Sequence, residues 1–297
     1  MTAMAYRHVC IANRAFISLR NKQLVIKQDE EYTIPLSDIS TVMLENNAST
    51  ITSAAIAAMA ENNIALFTCS EQHTPNGVLI PFNNHSRQLK ALKIQLEASK
   101  PLVKRIWQKI VKQKILNQAK CIQNCDIQGW ERLFQLSNKV ESGDKNNIES
   151  QVARVYFRLL FGPNFIRRTE TTLNASLNYG YSLIRAAIAR SLTTYGFYPS
   201  IGLFHHNELN NFNLADDLIE PYRPLVDKWV YDNVGKDETI LTTEHKRGLY
   251  NLFNTQLTIN NGVSTLTTAI EITSASLVTA LSINDREALK LPQLFSC

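Results

Sequence analysis

From Tyr6 to about Phe82 the apolar residues come in short runs broken by polar groups: HVCIA, AFISL, QLVIK, STVML, IALFTC and GVLIPF. Runs of this length, rich in β-branched and aromatic residues, predict strands. One stretch departs from that rhythm. TSAAIAAMAENN, residues 52–63, is alanine-rich without glycine or proline and predicts a helix capped by Thr52 or Ser53. Beyond NNHSRQ the spacing becomes helical: Leu89, Leu92, Ile94 and Leu96, then Leu102, Val103, Ile106, Ile110, Val111 and Ile115, with Pro101 suited to a helix start. Helical patterning continues almost to the C-terminus, interrupted by a polar loop, SGDKNN, at 142–147. The pattern therefore predicts an α+β chain: a small β-rich domain over 1–85 followed by a larger all-α domain over 86–297.

A length of 297 residues with 44% hydrophobic content supports ordinary buried cores. The N-terminal MTAMAYRHVC lacks the layout of a secretory signal, and no apolar run approaches the roughly 18 residues of a membrane span. A cytoplasmic protein is expected. Cys10, Cys69, Cys121, Cys125 and Cys297 are odd in number and scattered, which suits thiols in a reducing compartment. Cys121 and Cys125 have no second pair to complete a zinc site.

The net charge of +5 is mild, but its distribution is not. Between Ser86 and Lys120 stand ten Lys or Arg, among them Lys104, Arg105 and Lys109, against one acid, Glu97. Such a run can be a solvated helix face; it also repels itself unless a polyanion is present, and phosphate backbone is the common polyanion.

Three acids call for a chemical reading. IESQVARVYFRLLFG, residues 148–162, predicts a helix ending at Gly162, and Glu149 shares a face with Ala153, Tyr156 and Leu160. A carboxylate there is either welcome in the first turn for the helix dipole or must be paired, protonated or metal-bound. In GLFHHNELNNFNLADDLIEPYRPLVDKW, residues 202–229, Asn213 can cap a helix beginning at Leu214 with Asp216 near its partner position. Asp217 and Glu220 remain, three apart on one face, with Pro221 expected to push Glu220 out of ideal helical geometry. Together with His205 they would make an oxygen-rich site with one nitrogen, which matches Mg²⁺ or Mn²⁺ better than structural zinc.

In order along the chain, E-x-x-x-A-R-x-Y-F-x-x-L-F-G from Glu149, F-x-R at 165–167, LNYGYSLI at 177–184, GLFH at 202–205 and NLADDLIEPYRPLVD at 213–227 resemble the CRISPR-associated spacer integrase family, in the form that accompanies single-effector type II systems. The resemblance implies a β-sandwich-like N-terminal domain, a helical catalytic domain, a homodimer, and a heterohexamer in which two dimers flank a dimer of the small second adaptation protein. It also implies metal ligation by Glu149, His205 and Glu220, with Asp217 as a possible supporting residue. Arg167, Lys104, Arg105 and Lys109 would hold phosphates of double-stranded DNA.

The expected activity is a metal-dependent endonuclease and integrase inserting short captured DNA at the CRISPR repeat by 3′-hydroxyl transesterification. The alternatives are a nuclease acting on branched DNA, which would share the site, and a non-catalytic DNA-binding scaffold whose acids merely cap helices. His205 would ligate while neutral, so activity would fall below about pH 6.5.

Overall fold

The computed structural model of the chain describes residues 7–71, 75–79, 88–235 and 237–294. The chain divides into two compact units, Met1–Gln88 and Leu89–Cys297. The expected boundary near residue 85 and the end of the GVLIPF run lie outside the described residues.

In the first unit the predicted strands form as β1 (Arg7–Ile11), β2 (Phe16–Arg20), β3 (Gln23–Lys27), β5 (Ile39–Leu44), β7 (Ala65–Cys69) and β8 (Pro75–Leu79), and two more appear, β4 (Glu31–Pro35) and β6 (Thr50–Ile51). They make two four-stranded sheets, ordered β1-β5-β7-β8 and β4-β3-β2-β6. β5 lies parallel to both its neighbours and is buried at every residue, the pattern of a central strand covered on two faces. Ile17, Leu24 and Ile26 of one sheet share a core with Val42, Leu44 and Leu66 of the other, a sandwich. Helix α1 (Ser53–Glu61) supplies Ala55 and Met59 to that core, and the Thr52 hydroxyl caps it by accepting from the Ala55 N–H. β4 escapes the hydrophobic pattern because EYTIP is a mostly exposed edge strand.

The second unit is mostly helical: α2 (Gln88–Leu96), α3 (Lys100–Asn124), α4 (Trp130–Ser137), α5 (Ile148–Phe161), α6 (Thr172–Thr194), α7 (Asn213–Ile219), α8 (Arg223–Asn233), α9 (Thr243–Asn251) and α10 (Leu266–Ser282). It is not wholly so, because β9 (Gln256–Ile259) and β10 (Gly262–Thr265) pair as a hairpin ahead of α10. Asn260 and Asn261 both take positive φ, 51° and 61°, the turn that matches strand twist in a two-residue hairpin. Helix α3 starts at the Ser99 cap and Pro101, and it packs against α4, α5, α8 and the turn between α7 and α8. Helix α5 ends as the glycine predicts, with Gly162 at φ 103°. Among the described residues, no helix is long and apolar enough to cross a membrane.

Candidate active site

One stripe of α3 assembles the site. Trp107, Lys114, Asn117 and Cys121 recur at intervals of seven, three and four, hence on one face, and all four are buried. Lys114 is the residue that the charge count hides: it belongs to the basic run, yet it occupies a position on the apolar stripe beside Ile110, Val111 and Gln118. Its ammonium sits between two carboxylates, in contact with Glu149 Oε1 and 2.5 Å from Glu220 Oε2. The Lys114 and Glu220 side chains are each 7% exposed and Glu149 is 28% exposed, so the ion triad is largely withdrawn from water. Glu149 is therefore paired. The first-turn N–H groups of α5 are satisfied instead by Asp144, whose carboxylate accepts from Ile148 at 2.9 Å and Glu149 at 3.1 Å.

Glu220 opens the short 3-10 turn Glu220–Tyr222 that links α7 to α8. Pro221 does not displace it, contrary to the sequence-based expectation: Glu220 keeps φ −51° and ψ −45°, and the chain runs on into α8 as one bent helical path. Asn117 donates to the Pro221 carbonyl at 2.7 Å, which fixes this turn on α3. Arg223 Nε donates to Glu220 Oε1 at 3.0 Å, while Oε2 lies within ion-pair distance of Lys114 but receives no well-directed hydrogen bond.

His205 is placed by Asp217. Fully buried, Asp217 accepts backbone N–H bonds from Leu203, Phe204 and His205 at 2.5, 3.0 and 3.1 Å. Its Oδ1 also lies 2.8 Å from His205 Nδ1, which commits that nitrogen and leaves Nε2 to face another partner. Gly202 is required by close approach: a Cβ there would stand 2.2 Å from the His205 carbonyl oxygen and 3.0 Å from Asp217 Oδ2. Asn213 is not the cap that the sequence predicts. It lies within α7, and its side-chain amide donates to the carbonyls of Ser200 and Asn207 at 2.9 Å, tying down the loop that carries His205.

Burial would raise the Glu220 pKa, but Arg223 and Lys114 outweigh it and hold the carboxyl at about 2. Burial likewise works against the Lys114 ammonium, and Glu220 and Glu149 more than compensate, so its pKa is raised. The Asp217 hydrogen bond raises the His205 pKa against the opposing effect of burial, with Glu220 adding to it. Behind the site, Tyr181 and Tyr156 both donate to the buried Asp227, whose carboxyl burial pushes up to about 6. Arg167 and Arg223 flank the Tyr181 ring at 5.2 and 4.7 Å from its centroid.

Of the expected phosphate-binding residues, Lys104 and Arg105 are exposed on α3. Arg167 donates to Asn174 and Asn178 at 3.1 and 2.8 Å and lines a cleft of about 800 Å³ together with Arg168. Lys109 is engaged within the chain, by Glu287 Oε2 at 2.9 Å and by the Arg286 and Glu287 carbonyls. Cys121 and Cys125 remain thiols, and Cys121 Sγ lies 3.3 Å from the oxygen of the Tyr156 hydroxyl, whose proton goes to Asp227. Among the described residues, no three His, Cys, Asp or Glu side chains form a ready-made metal site. What the fold brings together is two carboxylates on one ammonium, with His205 close enough to feel the charge of Glu220.

The family model for CRISPR associated protein Cas1 matches residues 9–248. A CRISPR-associated endonuclease Cas1 from Neisseria meningitidis is 42% identical over 297 residues, covering 98% of this chain and 97% of that protein. Among solved structures, a casposase bound to integration product aligns with a TM-score of 0.76 at 18% identity, over 94% of this chain and 91% of that one. A Cas1 protein from Thermotoga maritima aligns with a TM-score of 0.74 at 15% identity, over 94% and 98% of the two chains. A chain of a Cas6-RT-Cas1–Cas2 complex aligns at 0.75 and 23% identity over 97% of this chain, which spans only 36% of that longer one. The structural likenesses bear on fold; the family rests on the match along the sequence. With a sandwich followed by a helical unit, a family model matched over residues 9–248 and a relative 42% identical along 98% of its length, this chain belongs to the Cas1 family of CRISPR-associated endonucleases.

Proposed function

We propose that the protein is a metal-dependent DNA integrase that joins the 3′-hydroxyl ends of short captured DNA to the CRISPR repeat. The observation carrying this reading is the convergence of Glu149 and Glu220 on a single cation, Lys114, beside an imidazole whose Nδ1 is already committed. Two carboxylates and one ring nitrogen suit a hard divalent ion such as Mg²⁺ or Mn²⁺, which would take the place that the Lys114 ammonium holds against Glu149 Oε1 and Glu220 Oε2. Glu149, His205 and Glu220 would hold the ion, with Asp217 orienting His205 behind it. A bound ion would supply charge stabilisation at the five-coordinate phosphorus and at the attacking or departing oxygen.

The chain's own residues do the remainder. Lys104, Arg105 and Arg167 bind phosphates and set the strand's position. The 3′-oxygen forms the new bond to phosphorus, the repeat's own P–O3′ bond breaks, and the departing oxygen takes up a proton, so no nucleotide cofactor is consumed. Arg223, held on Glu220 Oε1, keeps a fixed positive charge beside that centre. Two structural neighbours, a casposase bound to integration product and a Cas6-RT-Cas1–Cas2 complex, support DNA and the small adaptation protein as partners. In this reading the β-rich domain over 1–85 makes the homodimer, and two such dimers flank a dimer of the small protein in the cytoplasm.

The test is strand transfer: the protein with its small partner, a duplex ending in 3′-hydroxyls, and a supercoiled plasmid bearing a repeat, with Mn²⁺ or EDTA. Joining should require the ion and fall by at least about 10²-fold in His205→Ala and Glu149→Gln. Unchanged DNA transactions in Glu149→Gln would favour a binding scaffold. Cleavage of branched DNA without joining would favour the nuclease reading.

A further inference from the structure

The residue before His205 is an aromatic ring that faces water. Phe204 is 47% exposed, yet it is firmly held. One face lies on the Trp107 indole, 4.3 Å between centroids and 4° from parallel, and Trp107 itself is 2% exposed. The His205 ring stands edge-on to both, at 5.7 Å from Phe204 and 5.8 Å from Trp107. The Phe204 backbone N–H is fixed to Asp217 at 3.0 Å, by the same carboxylate that orients His205. A two-ring stack with one face buried and the other open, locked in register with the site, is a preformed platform for a third flat ring.

We infer that Phe204, backed by Trp107, is a stacking subsite for the nucleobase of the 3′-terminal nucleotide of the incoming DNA; this rests on the integrase reading above. The terminal nucleotide carries the attacking hydroxyl, so its sugar must come next to His205, and its base then falls within reach of a ring less than 6 Å away. That base also lacks a neighbour on its 3′ side. An aromatic side chain replaces the missing stacking partner without reading sequence, as in proteins that bind single strands. Phe204 is in this view a positioning residue: it holds the nucleotide whose hydroxyl reacts and touches none of the reacting atoms.

The experiment uses the full-length protein in EDTA, so that no joining occurs, and a duplex whose unpaired 3′-terminal nucleotide is 2-aminopurine. A dye on the opposite end reports total binding by anisotropy. In the wild type and Phe204→Tyr the 2-aminopurine emission should be quenched on binding. In Phe204→Ala, and in Phe204→Leu, which keeps the bulk without the ring, emission should stay near that of free DNA, and affinity for the unpaired end should fall about fivefold or more. Salt-sensitive binding to blunt duplex should persist in all four. Equal quenching in the wild type and both ring-less variants overturns the subsite. Quenching only when 2-aminopurine is placed in the repeat strand overturns the assigned occupant, and a wild type that binds no DNA overturns the integrase reading along with it.

Discussion

A lysine between two carboxylates is a cation that cannot diffuse away. Lys114 neutralises Glu149 and Glu220 while no metal is bound, and the same charge repels an arriving divalent ion. Lys114→Met should therefore melt at a lower temperature without metal, because Glu149 loses its ion partner and the buried Glu220 keeps only Arg223. The variant should also bind Mn²⁺ about tenfold or more tightly, read from the signal of free Mn²⁺ in electron paramagnetic resonance. Weaker binding would mean that the ammonium holds the carboxylates in ligating geometry. The sequence did carry a signal for Lys114, a lysine on an apolar stripe, but in a count of charges it merged with its solvated neighbours. His205 raises a second question at this scale. Its pKa lies above the ordinary 6.5 because of Asp217, so the charged pair stabilises the fold below the unfolded value and is lost as pH rises through the folded one. Ligation needs the neutral ring, so a divalent ion and a proton should compete for His205, and Mn²⁺ affinity should fall as the pH is lowered. In the metal-free protein, NMR titration of His205 should show the raised value in the wild type and a lower one in Asp217→Asn.

Among the elements, the loop at 202–205 is held tightly, by Asp217 and by the close approach at Gly202. Gly202→Ala would drive a methyl group against the His205 carbonyl and Asp217, so the loop must shift. A displacement near 1 Å should reduce joining by about 10²-fold while the protein still folds, which circular dichroism alongside the strand-transfer assay would show. Much at this scale was legible. The strand runs, α1 with its Thr52 cap, and α5 ending at Gly162 appear where apolar spacing and terminal residues put them, because burial and capping are local. What escaped was long-range or weakly patterned. β6 is two residues long, and the β9–β10 hairpin is hidden in a helix-like tail despite its NNG turn. Asn213 looked like a cap because a side-chain amide next to a helix start usually is one; here two carbonyls thirteen and six residues upstream claim it. Glu149, His205 and Glu220 stood out as polar residues in the wrong company. That Lys114 joins two of them depends on the packing of α3 against α5 and the Glu220 turn, which no local pattern encodes.

Across the whole molecule, buried charge sets the response to pH. Asp227, enclosed with Tyr156 and Tyr181, has its carboxyl pushed up to about 6, so the native state holds its proton more tightly than the unfolded chain does. Its contribution is fully present below the unfolded value and is lost as pH rises through 6. Relative to Asp227→Asn, the wild type should therefore lose about 1–2 kcal/mol of stability between pH 5 and 7.5, measured by urea unfolding at each pH. A difference that stays constant with pH would mean the carboxyl titrates normally. Helix α3 has a different consequence. Trp107, Lys114, Asn117 and Cys121 sit on one unbroken rod and face respectively the His205 ring, the two carboxylates, the Glu220 turn and Tyr156. Deleting or inserting a single residue between Trp107 and Lys114 would turn every later side chain by about 100° around the axis. Variation in chain length among natural relatives should then collect in the loops and spare this segment, which serves as the ruler against which the rest of the site is set.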